Sequence, residues 1–376
     1  MTKYIWQELK RVLIKKKISL IIILILTIVF GGINISKQKT LEEKLEQNKV
    51  ILNNQINSKK DEKTINNTRQ QISNIEETLS SIKSYDKSKI DGKILKLEKE
   101  NNPKNDYTIN LLKYFKKHNI EKIMPKGMNA TIDFLAQPTI SIFYIIILII
   151  LLSDIVSGEY NPNTIKMSLT KPISRKKIIM SKFAVSIIIG ASVIIISTII
   201  FVVEAGIRFG LSDYRMPFYV GTKYVLNKSL SLTVETSQME PVINSTSMVP
   251  VWSGIVRFVL IAILVSIIAI SIIIFISTIC KRSLISSIIN FILVIVTSFS
   301  WIWIFMDNNI LANKYGALLK FTPIPYIFNI FEVLSGNISV RLTSTINIFF
   351  VLIVCLVWSL IMMFLSTYIF AKRDFD

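Results

Sequence analysis

Six apolar runs constrain this chain more than any other feature: residues 18–35, 139–153, 178–203, 255–278, 284–305 and 346–371. A helix needs about twenty apolar residues to cross the hydrocarbon of a bilayer. All but the second run approach or exceed that length unaided, and the second needs 134–138 or 154–156 to complete a span. A membrane barrel would alternate lipid-facing and lumen-facing residues, whereas these runs are continuous. The expected fold is an all-α polytopic membrane protein with six transmembrane helices. With 51% hydrophobic residues in 376, the composition agrees.

Lys and Arg near the run ends set the orientation. Lys3, Lys10, Arg11 and Lys15–Lys17 precede the first run, and Lys166, Lys171, Arg175, Lys176 and Lys177 lie between the second and third. Lys281 and Arg282 separate the fourth and fifth, and Lys372 and Arg373 follow the sixth. These four segments fall on one side of the membrane, the cytoplasmic side by the positive-inside rule, which predicts an N-in/C-in topology. Much of the +19 net charge is then a topological signal and not a sign of nucleic-acid binding. The first run has a basic flank but no small-residue cleavage site around 31–36, so it reads as an anchor and not a removed signal peptide. The two cysteines, Cys280 and Cys355, form no metal or disulfide framework. Rich Ile, Lys and Asn usage points to an AT-rich bacterial genome.

Residues 1–17 read as an amphipathic interfacial helix, with Tyr4, Ile5, Leu9, Val12 and Leu13 at helical spacing. The first transmembrane helix occupies 18–36. Residues 37–138 change character to Lys, Glu, Asn and Gln and are expected to form a helical extracytoplasmic domain. There Leu41, Leu45 and Leu52, then Ile72, Ile75, Leu79 and Ile82, suggest a coiled-coil hairpin, with a turn at 66–68. Residues 139–376 hold helices two to six, a cytoplasmic loop at 154–180 and external loops at 204–254 and 306–345. Within the last of these, 321–331 is apolar but broken by Pro323 and Pro325, which suits a re-entrant dip. Trp252, Trp301 and Trp303 stand at expected outer ends, as in an aromatic belt.

No phosphate-binding P-loop, His-based metalloprotease motif or nucleophile elbow occurs, so neither ATP hydrolysis nor other catalysis is expected on this chain. The spans hold almost no ionisable residue, which disfavours a self-powered ion-coupled carrier. Ser286, Ser287 and Asn290 share one face of the fifth span, suited to helix packing or to lining a path. The loop after span two is the most organised polar stretch. Asp154 and Glu159 close the span, Pro162 suits a helix start, and Thr164, Ile165 and Leu169 fill one or two turns with an apolar face. Pro172 stops that helix, Ser174 is placed to cap the next, and Arg175 leads into span three.

The stretch DIVSGEYNPNTIKMSLTKPISRKKIIMSK (154–182) resembles the corresponding loop of ABC-2 type transporter permeases, through Glu159, Thr164, Pro172, Ser174, Arg175 and Lys182. Asn163 replaces the usual glycine of that pattern. The resemblance implies the membrane subunit of an ATP-driven bacterial exporter, with ATP and Mg on separate ABC ATPase subunits, a second permease copy alongside, and no cofactor on this chain. It also implies that the loop docks on the ATPase, with Glu159 and Arg175 fixing its ends. The cargo would be a peptide, a lipid-like molecule, a drug or an ion. The alternative is a non-transporting scaffold or envelope-stress sensor that reads its surroundings through the extracytoplasmic coiled coil.

Overall fold

The computed structural model describes residues 2–58, 62–83, 90–100, 102–120, 126–160, 174–227, 239–306, 316–344 and 346–373. Helices dominate them. In chain order they are α1 (Thr2–Lys15), α2 (Lys17–Lys37), α3 (Leu41–Asn57), α4 (Glu62–Lys83), α5 (Ile90–Lys99), α6 (Asp106–His118), α7 (Gly127–Leu135), α8 (Pro138–Leu152) and α9 (Arg175–Phe209). Then follow α10 (Val251–Ile279), α11 (Ser283–Met306), three short helices α12 (Ile324–Phe328), α13 (Ile330–Ser335) and α14 (Ile338–Arg341), and α15 (Ile348–Lys372). The strands among the described residues make two antiparallel ribbons, β1 (Pro217–Val220) with β4 (Ser247–Pro250), and β2 (Tyr224–Leu226) with β3 (Met239–Pro241).

Six helices, α2, α8, α9, α10, α11 and α15, are long and apolar enough to cross a membrane. The short second run is completed on its 153–159 side, where a turn and a 3-10 turn at Ser157–Glu159 extend the span to 22 residues. On its other side Gln137 is extended and Pro138 restarts the helix, because proline fits the first turn but not a helix interior. Helices α8, α9 and α10 form the enclosed centre, while α2, α11 and α15 surround it with exposed apolar faces. At 35 residues α9 is about 52 Å long, well over a hydrocarbon thickness of about 30 Å, so it is longer than a span requires. Glu204, expected in a loop, is therefore helical. It packs on α2 at Gly31, where a Cβ would run into the Glu204 carboxylate and the Phe201 ring.

The end of the bundle that carries Thr2 and Arg373 is called the near end below, and the opposite one the far end. At the far end α3 and α4 lie antiparallel, joined by Thr68 Oγ1 donating to Gln55 Oε1 (2.9 Å) and by Lys49–Glu76 (2.8 Å). The turn expected at 66–68 is instead helical, and α3 has already ended at Asn57. Thr68 is tolerated there because its hydroxyl is satisfied by Gln55 and by its own helix at Thr64 O. The described apolar seam is thin: Leu45, Leu52, Ile72 and Ile75, of which only Ile72 is fully buried.

The far-end segments are tied together by backbone groups. Buried Asp213 accepts from the N–H groups of Lys126 (2.8 Å), Met128 (3.1 Å) and Asn129 (2.9 Å), capping α7 from a distant loop. Asp106, at the start of α6, accepts from Asn244 N (2.5 Å) and Thr246 N (3.4 Å). Gly221 N and Thr222 N donate to Leu334 O (3.1 Å) and Ser335 O (2.9 Å). Gly336 ends α13 at φ +91° against the Thr222 backbone, a conformation and a fit that only glycine meets. Pro325–Phe328 and Ile330 are buried, so the Pro-broken segment is shielded by protein. Trp252 is exposed at the start of α10, but Trp301 turns into the core, against its expected belt position.

Replacing Asp213 by Ala removes the acceptor for two first-turn N–H groups of α7 and for that of its N-cap residue, Lys126. The expected cost is about 1–2 kcal/mol, read as faster amide exchange across Gly127–Leu135 and a lower melting temperature.

Candidate functional site

Loop 154–180 is shorter than expected, because α9 begins at Arg175. Ser174 takes the N-cap position in extended conformation, but its side chain accepts no capping hydrogen bond. Pro162, Thr164, Ile165, Leu169 and Pro172 lie outside the described residues. What is described is how both ends of the loop are held.

The first end is organised by Lys182, two turns into α9 and only 1% exposed. An ammonium has three N–H donors, and all three are used: to Glu159 Oε1 (2.7 Å), Glu8 Oε1 (3.1 Å) and Ile155 O (2.9 Å). Ile155 follows the C-terminus of α8, where carbonyls lack helical partners and the helix dipole favours a cation. Arg11 joins the cluster, bonding Glu8 Oε1 (2.5 Å) and also Glu159 Oε1. Two cations thus face two buried carboxylates, and the charges balance. Burial alone would raise the Glu8 carboxyl, but Lys182 and Arg11 together hold it below its ordinary value of 4.5. Burial also raises the nearby Tyr4 hydroxyl, with the Glu8 charge adding to it.

This knot joins three elements. Helix α1 contributes Glu8 and Arg11, with Ile5, Leu9 and Val12 packed on the core beside them. Leu13, expected on the same stripe, points outward with Trp6 and Ile14. One turn further, Asp154 meets Lys16 (2.6 Å) and, more loosely, Lys15 (3.7 Å). Between α1 and the end of α8 lies a cleft of about 180 Å³ lined by Arg11, Lys15, Lys16, Asp154, Gly158 and Glu159.

Hydroxyls fix the same turn from the other side. Ser277 of α10 accepts from Val156 N (3.2 Å) and Ser157 N (3.1 Å). From α11, Ser286 donates to Ser153 O (2.5 Å), Ser287 pairs with the Ser153 hydroxyl (2.7 Å), and Asn290 bonds back to Ser286 O (2.9 Å). Ser286, Ser287 and Asn290 therefore sit where α11 meets the end of α8. At the second end of the loop, Arg175 donates to the carbonyls of Ala371 (3.2 Å) and Arg373 (2.9 Å). Among the described residues no cluster of His, Cys, Asp or Glu is placed to hold a metal ion.

Glu8 and Lys182 are the two members of the knot that local sequence pattern marks least. A signal for Glu8 was present: it is the sole acidic residue before Glu42 and stands among Ile5, Leu9 and Val12 on the apolar face. A carboxylate on such a face needs a buried cation, and Lys182 is one placed inside an apolar run.

A family model described as ABC-2 family transporter protein matches residues 4–375, nearly the whole chain. The chain belongs to the ABC-2 transporter family. No curated protein matches its sequence. It is thus a multi-pass membrane permease, and the knot sits at the ends of its second and third spans. In this permease, Lys182→Met leaves Glu8 and Glu159 buried with one cation between them. The expected loss is about 3–5 kcal/mol, measured as a lower melting temperature in detergent. Because the Glu8 pKa is lowered on folding, its stabilisation is full above pH 4.5 and lost as pH falls through the lower folded value. Melting temperature should drop in that acid window, and Glu8→Gln should flatten the drop.

Proposed function

We propose that this chain is the membrane-spanning subunit of an ATP-driven exporter in the bacterial cytoplasmic membrane, with the near end in the cytoplasm. Lys and Arg gathered at that end support the orientation. A separate ABC ATPase, carrying ATP and Mg, docks on the loop between α8 and α9, and a second permease copy completes the unit. One observation carries the reading: the Lys182 knot binds α8, α9 and α1 into one block where the loop departs. A push on a loop rooted in flexible chain would be absorbed by it. Rooted in a buried, hydrogen-bonded ion cluster, the loop moves its spans instead. ATP then shifts the transporter by favouring one packing of those spans over another.

Few ionisable side chains occur inside the spans, and exposed apolar faces surround the centre. The scarcity of charge inside the spans favours an amphipathic or lipid-like cargo over a small ion. The far-end assembly of α3–α7, the β-ribbons and α12–α14 is the part of the permease that released cargo meets.

Co-expression with the ABC ATPase encoded nearest to this chain tests the reading. The two proteins are expected to co-purify, and ATP turnover should depend on the permease in nanodiscs. Glu159→Gln should lower the permease-dependent ATPase rate about tenfold, equivalent to about 1.4 kcal/mol. If no ABC ATPase is retained, the exporter reading is wrong and a scaffold or sensor takes its place.

A further inference from the structure

The knot accounts for one end of the loop, but a second set of contacts reaches both ends at once. Arg373, just beyond α15, donates through Nη1 to the Tyr160 hydroxyl (3.1 Å) and to Thr278 O, and through Nη2 to Ile279 O (3.1 Å). Its guanidinium also lies 4.8 Å from the centre of the Tyr160 ring. Thr278 and Ile279 are the last residues of α10, whose carbonyls have no partner within the helix, and a cation there meets the negative end of the dipole. The Arg373 carbonyl in turn accepts from Arg175, the first residue of α9. Tyr160 is the last described residue before the loop and Ser174–Arg175 the first after it. One residue of the C-terminal segment therefore holds where the loop leaves α8, where it enters α9, and the end of α10.

We infer that Arg373 is a positioning residue of the coupling apparatus: it makes α10 and α15 move with the loop, so that a push reaches four spans and not only the two the loop joins. The inference rests on the ATPase-docking reading above. A planar guanidinium suits the task because its fixed fork meets two carbonyls and a hydroxyl at once and stacks on the phenol ring, which a lysine ammonium does not reproduce. The Lys182 knot contains neither α10 nor α15 side chains; without the Arg373 guanidinium, α10 follows the loop through apolar packing and the Ser277 contact, and α15 through the Arg175 bonds to backbone carbonyls.

Two measurements test this on the full chain in nanodiscs. In the permease alone, Arg373→Ala should speed amide exchange at 156–160 about tenfold, with exchange in α7 unchanged. In the complex with its ATPase, spin labels at Ile188→Cys and Phe364→Cys, exposed on α9 and α15, report their relative movement on ATP binding. Arg373→Ala should keep ATPase affinity within twofold while changing the ATP-driven label displacement by more than half; Arg373→Lys should restore only part of the native displacement. Tyr160→Phe keeps the ring but loses the hydroxyl, and should show a smaller change in the same direction if Arg373→Ala folds poorly. Unchanged exchange, or an unchanged displacement alongside a normal wild-type response, overturns the role of Arg373. A wild-type complex that forms no ATPase contact instead sinks the docking reading, and the exchange measurement still decides whether Arg373 holds the first end of the loop.

Discussion

A lysine ammonium with no access to water is tolerable only when every proton finds an acceptor and its charge is matched. Lys182 meets both conditions by drawing in Glu8 from the N-terminal helix, Glu159 from the turn after α8, and the orphan carbonyl of Ile155. The requirement is mutual, since two buried carboxylates need the cations of both Lys182 and Arg11. This is why α1 lies against the bundle and is not merely a basic flank, and why the chain after α8 turns where it does. An apolar contact would have let these elements slide. Directional, charge-assisted bonds give one arrangement.

The two ends of the bundle are organised differently. At the near end side-chain charges bind helix termini together, with Asp154–Lys16 and the Arg175 and Arg373 contacts extending the pattern. At the far end carboxylates and carbonyls accept backbone N–H groups across long stretches of sequence: Asp213 to α7, Asp106 to the β3–β4 turn, and the α13 carbonyls to the strand β1 extension. The insertion after α2 is thereby joined to the loops after α9 and α11.

Much of the architecture was legible in the apolar runs. Their number and helical character agree with the structure because a continuous run of that length has few ways to satisfy its backbone in lipid. The family was legible in 154–182, where Pro and charged residues sit at set spacings. The limits of elements were less so. Thr68 reads as a turn former until Gln55 is found opposite it, and Glu204 reads as a loop residue until α9 is seen to continue past the hydrocarbon thickness. Trp301 suits an interface by composition, but its packing places it in the core.

The candidate site divides in the same way. Asp154, Glu159 and Arg175 were visible because charged residues beside a membrane span invite a reason. Their partners were not visible: Glu159 meets Glu8's cations from 148 and 23 residues away, and Arg175 meets carbonyls 196 and 198 residues on. Local pattern sets which segments become helices and which of them suit a membrane, since hydrophobic length and backbone satisfaction are properties of contiguous residues. Which charge neutralises which depends on how helix ends converge, and only the tertiary structure brings Glu8, Glu159 and Lys182 to one point.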